Sequence, residues 1–311
     1  LKMGNTNAIP TTSALAVLSG GTLDMNAFNL TVPALSSDSA TTGGFITNSA
    51  TTGAVTLTVG DATNTNYGGA ITNNVGSTLN FVKVGTGTLT LGGPNSYTGA
   101  TTVNAGSIKA AANNVIPATS PVTLAPTAAS GTADLNLNNF SNFIASLTIA
   151  GATSSTSTVQ TGAGTMTLLG NVTYDATNNP NGATISGNVN LGGASRTFAV
   201  GDSTNAAVDL TISAKISDAT ATDGLTKTGT GTMSLTSTTS DYSGVTTVNA
   251  GVLQVTKLAD GGTASSIGDS GTAASNLVIN GGTLRYSGTG DSTDRQFTVG
   301  TNGATLESSG T

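Results

Sequence analysis

The sequence predicts an all-β chain of repeated strand–turn–strand units, and three observations carry that prediction. Residues 83–106, KVGTGTLTLGGPNSYTGATTVNAG, and 227–251, KTGTGTMSLTSTTSDYSGVTTVNAG, are near copies of one another. Both copies alternate in the manner of half-buried strands, with no helical period in either. The composition is rich in β-branched and turn residues: 60 Thr and 42 Gly among 311 residues, against 8% charged and 4% aromatic residues. Disordered chains are poor in β-branched residues and high in net charge, so this composition indicates order.

Aligned from Lys83 and Lys227, the pairs Gly85/Gly229, Gly87/Gly231 and Leu91/Leu235 coincide. After one inserted residue so do Tyr97/Tyr242, Gly99/Gly244 and the run Thr101 to Gly106 against Thr246 to Gly251. Self-similarity at long spacing marks a repeat architecture. Each copy reads as a Gly-Thr-Gly turn, an alternating strand, a polar loop with a tyrosine, and a second strand that ends at glycine.

The remaining elements follow in chain order. In 1–82, Gly20-Gly21-Thr22-Leu23 with Met25, Phe28, Leu30 and Val32 reads as strand, turn and strand. The segments 54–64 and 196–205 share Val-Gly-Asp-x-Thr-Asn, and Leu135, Leu137, Phe140 and Leu147 echo Leu23, Met25, Phe28 and Leu35. The seven prolines fall in expected loops or at strand ends, as a backbone ladder requires. The opening residues align with 108–124, so the chain is expected to start in mid-module, as one continuous solenoid segment, 1–311, of a longer repetitive protein.

The pattern GTGTLTL, a polar loop, Tyr-Thr/Ser-Gly and then TTVNAG resembles the autotransporter-associated β-strand repeat of bacterial surface proteins. The segments 192–205 and 281–306 resemble the spacers that accompany it. The resemblance implies a right-handed parallel β-helix built from Gly/Thr-rich strand repeats, carried to the cell surface as a passenger. It brings no reaction with it.

Stacked coils of about 20 to 25 residues would form a rod of about 12 to 15 coils, roughly 60 to 70 Å long at about 4.8 Å per coil. Leu89, Leu91, Val103, Ile108, Leu235 and Val248 are expected to form its apolar column.

Several function classes are excluded or weakened. Net charge is −6 with nine basic residues, scattered along the chain, so no phosphate-binding patch exists for nucleic acid. No cysteine means no disulfide or thiol nucleophile, and no histidine removes the usual general base and every imidazole metal site. Glu307 is the single glutamate, which leaves little for paired-carboxylate glycoside hydrolysis. No catalytic, cofactor-binding or metal-ligating residue is assigned.

Some residues invite a functional reading and receive a structural one. Gly-Asp-[Ala/Ser]-Thr-[Asn/Asp] at 60–64, 201–205 and 290–294 has the oxygen ligands of a calcium site, but an Asx-turn at a coil corner is favoured. Tyr97 and Tyr242 are read as packing anchors in preference to sugar-stacking platforms. Lys83 and Lys227 are read as charges guarding a solvated strand edge. The Thr-Gly run at 228–232 lacks the helix that phosphate binding requires. Asn29 and Asn171 head sequences of glycosylation form.

The expectation is therefore an extracellular, non-catalytic stalk, fibre segment or adhesive passenger at a bacterial surface. Its partners would be copies of itself, end to end or laterally, or cell-surface glycans, with no nucleic acid and no membrane insertion of this segment. A self-assembling filament and a carbohydrate-active β-helix are the alternatives.

Overall fold

The structure is a computed structural model that describes residues 1–219 and 222–310. Two long parallel sheets run its length: one of 12 strands, from Leu30–Val32 to Thr298–Val299, and one of 13, from Thr65–Tyr67 to Thr305–Ser308. Successive strands of each sheet come from successive coils, so the chain is a parallel β-solenoid of about 12 turns. At about 4.8 Å per strand, twelve stacked strands make a rod roughly 55 Å long. Among the described residues the helical content is one 3-10 turn, Ala274–Asn276.

Alternation along each strand places every second residue inside. Thr88–Leu91 and Thr101–Val103 bury Leu89, Leu91 and Val103, and outward Thr90 and Thr102 stay half-buried. All six residues expected in the apolar column are at most 1% exposed. They join one continuous core from Met3 to Leu284, in which each coil contributes a layer against the coils above and below. Burial on that scale is the main force holding the rod together.

The coils vary more than the expected range of about 20 to 25 residues. Leu89 pairs with Ile108, 19 residues on, whereas Thr246 pairs with Leu277, 31 residues on. Extra residues are absorbed at the corners, and between Gln160 and Thr165 they shift the register in which Thr156–Leu168 pairs with Ala183–Asn190. In 1–82 the third side carries its own sheet, Thr22–Asp24, Phe45–Asn48 and Ala70–Asn73.

Where a coil is too short for a third strand, side chains replace the ladder. The Ile71 N–H donates to Asn95 Oδ1 at 2.9 Å, and Asn95 Nδ2 donates to the Val115 carbonyl at 2.7 Å. Farther along, the Ile216 N–H donates to Ser240 Oγ at 3.1 Å. These buried polar residues satisfy backbone groups that would otherwise lie unpaired in the core. Pro121, the first residue of Pro121–Leu124, sits where a missing N–H is tolerated.

Candidate functional site

The two repeat copies build the same corner. Lys83 and Lys227 hold inward-facing positions on Ser77–Lys83 and Leu225–Thr228 and are 1% and 0% exposed, so the expectation that they guard a solvated edge is overturned. Lys83 Nζ donates to the carbonyls of Val84, Gly85 and Ala105 at 2.6, 2.8 and 3.3 Å. Lys227 Nζ donates to those of Thr228, Gly229 and Ala250 at 2.9, 2.8 and 3.1 Å. Each ammonium thus joins the corner of its own coil to the next coil, using all three of its protons. Burial pushes both amines down to about 8, and the negative charges of Asp61 and Asp209 respectively oppose the shift in part.

Glycine is required where these corners close. Gly106 and Gly251 have φ of 67° and 62°. A Cβ on Gly106 would lie 2.4 Å from the Gly87 carbonyl oxygen, and one on Gly251 would lie 2.5 Å from that of Gly229.

Tyr97 and Tyr242 are fully buried, and their hydroxyls bond Thr101 and Thr246 at 2.7 and 2.8 Å. They are packing anchors, and burial raises both phenols. Asn29 and Asn171 accept the N–H groups of Thr56 and Thr197 on the next coil, at 2.8 and 2.9 Å.

The three Gly-Asp motifs do not share one role. Asp61 closes the expected turn by accepting from the Thr63 N–H and hydroxyl, bonds that lower its pKa. At 201–205 the Ser203 N–H turns to Asp209 instead, at 2.7 Å. Asp291 ties coils together by accepting from the Leu258 N–H and the Tyr286 hydroxyl. After the run at 228–232 comes a strand, Thr232–Leu235, and no helix. Among the described residues no three carboxylates gather closely enough to hold a metal ion.

Sequence reasoning missed a concave feature on the corner between the two long sheets. The repeats turn this corner through 104–105 and 249–251, and the coil that opens the second repeat turns it through 229–231, but four other coils between the repeats use 125–131, 150–155, 175–182 and 201–209. The long corners stack as a ridge. The Ala152 N–H donates to the Pro126 carbonyl at 2.8 Å and the Ser154 N–H to that of Asn179 at 3.0 Å. The Ser203 hydroxyl donates to the Pro180 carbonyl at 2.5 Å. A cleft of about 330 Å³ opens among the first three loops, lined by Pro126, Thr127, Ala150, Ala152, Asp175 and Asn178 among others. Its one sequence signal was the wider spacing between strands in 125–182, which pattern matching to the repeats passed over.

Comparison with known proteins agrees with this architecture. The passenger-associated-transport-repeat family matches at 81–110 and 225–255, the two tight coils with the buried lysines. Over 230 residues, 74% of this chain, the sequence is 40% identical to an adhesin autotransporter, BmaC, of Brucella suis biovar 1 (strain 1330). The chain spans only about 6% of that relative's length. No solved structure matches the chain. With its two family repeats set in one parallel β-solenoid, the chain is a repeat protein of the autotransporter-passenger kind.

Proposed function

We propose that this chain is a non-catalytic, adhesive segment of a surface-exposed or secreted passenger, a stiff rod that presents its sides to a partner surface. The 230-residue similarity to an autotransporter adhesin carries this reading. The physics of the rod supports it. Strands pair coil to coil along the whole length, and the faces are clothed in half-exposed threonine and asparagine, which suit many weak contacts that sum by repetition. Cell-surface glycans are the proposed partners.

The test is saturable binding of the purified, fluorescently labelled chain to cultured host cells and to neighbouring bacteria. Sedimentation and electron microscopy of the same preparation are run alongside. Binding by rods that remain single supports the reading. Absence of binding by well-folded rods refutes it, and concentration-dependent filaments with one rod's diameter would point to end-to-end assembly instead.

A further inference from the structure

We infer that the cleft among the corner loops 125–127, 150–152 and 175–178 is a binding site for a neutral saccharide of one or two rings. The inference deepens the adhesive reading and rests on it for biological meaning, but its chemistry stands on the loops themselves.

The extra chain in these corners is not needed to turn the coil. The tight repeats make the same turn through 104–105 and 249–251. The long loops are also built against local preference, since Ser130 and Ser154 hold φ of 56° and 59°, where side chains are disfavoured. Cross-loop hydrogen bonds then fix them: Ala152 to Pro126, Ser130 to Thr153 and Asn181 to Ser155. Rigid loops on a rigid scaffold are where binding sites concentrate.

The lining selects the ligand. Asp175 Oδ1 accepts the Thr177 N–H at 2.9 Å, which orients the carboxylate and leaves Oδ2 without a partner among the described residues. The hydroxyls of Thr127 and Thr177 and the carboxamide of Asn178 are likewise unengaged and share the cleft with it. A charged acceptor beside neutral donor-acceptors matches a pair of sugar hydroxyls. Ala125, Pro126, Ala150 and Ala152 supply an apolar floor for the C–H face of a ring.

Other ligand classes fit poorly. No lysine or arginine lines the cleft and the chain carries −6, so phosphates and acidic sugars are repelled. One carboxylate is too little for calcium, which takes six to eight oxygens. The volume of about 330 Å³ lies at the low end of ligand pockets, about 300 to 1,000 Å³. With no aromatic side chain among its lining residues, binding at one site is weak and becomes useful when many rods act together.

The experiment is saturation-transfer NMR and calorimetry on the whole chain. The panel is methyl glycosides of glucose, galactose, mannose and N-acetylglucosamine and their disaccharides, with glucuronic acid, sialic acid and calcium chloride alone as comparators. At least one neutral sugar is expected to bind. Asp175→Asn should weaken it by about tenfold, equivalent to about 1.4 kcal/mol. Ala152→Trp should fill the cleft and abolish binding, and Asp202→Asn on the neighbouring loop should leave it unchanged, all with an unaltered β-sheet circular dichroism spectrum.

The inference is overturned if no neutral sugar binds, if Asp175→Asn and Asp202→Asn behave alike, or if calcium or the acidic sugars bind in place of the neutral ones. A chain that adheres to cells but binds no sugar here loses the cleft and keeps the adhesive reading. A chain that binds sugar through Asp175 yet adheres to no cell keeps the cleft and loses the adhesive role.

Discussion

Replacing Lys83 by methionine keeps the length and apolar stem of the side chain and deletes its three donors. The carbonyls of Val84, Gly85 and Ala105 then lose the ammonium, which is the one hydrogen-bond partner each has among the described residues. An unmade buried hydrogen bond costs about 2 kcal/mol, so the three together cost about 6 kcal/mol. Against this, an amine held down at about 8 is charged at neutral pH at an expense of about 3 kcal/mol, which methionine relieves. The orphaned carbonyls outweigh the relief, and Lys83→Met should destabilise the rod locally by about 3 kcal/mol. Because stacked coils open in parts, the measurement is hydrogen exchange resolved along the chain, supported by urea denaturation. Protection should fall in 84–106 and the adjoining coils and hold around 227–251. Lys227→Met should reproduce the loss at its own corner, and the double variant should be additive, since the two cages share no partner. Unchanged or increased protection at 84–106 would refute this account of the corner.

Other outcomes follow from the same geometry. Both lysines titrate in the fold at about 8, below the ordinary lysine value, so between these limits the unfolded chain binds more protons and stability from these two groups rises with pH; denaturation midpoints from pH 7 to 10 for wild type against the double methionine variant check the sign. Asp61→Asn removes the charge that partly holds the Lys83 amine up, so that amine should titrate lower still by NMR, with little change in stability because Asp61 lies at the surface. Gly106→Ala places a methyl 2.4 Å from a carbonyl oxygen at positive φ and should cost about 3 kcal/mol by denaturation. Tyr97→Phe removes a buried hydroxyl whose partner, Thr101, keeps a second bond to Ser120, so its cost should be nearer 1 kcal/mol.

Strand period, repeat copies and glycine corners are readable in the sequence, because each leaves a mark within a few residues. Leu89, Leu91 and Val103 declare their direction by alternation, and Tyr97 and Tyr242 declare theirs by recurring in a loop that must pack. Lysine misleads, since its chemistry suggests solvent. Nothing near Lys83 in sequence shows that the Ala105 carbonyl, a full coil later, completes its cage. The Gly-Asp motifs mislead in the opposite way, with similar letters put to different use once the neighbouring coil supplies the partners, as Asp209 does for Ser203. The loop cleft left no motif, because Pro126, Ala152 and Asp175 come from three coils and share no pattern.

By itself the sequence determined the class of fold, the identity of the core residues and the kinship of the two tight coils, since these depend on period and on conformations available to single residues. Tertiary structure decided which coil each corner touches, where extra residues leave the ladder, and which polar atoms remain unpaired. Those are properties of residues about 19 to 31 positions apart brought one strand spacing from each other. Stacking sets that distance, and only the stacked coil turns a lysine into an internal clasp and three unrelated loops into one cleft.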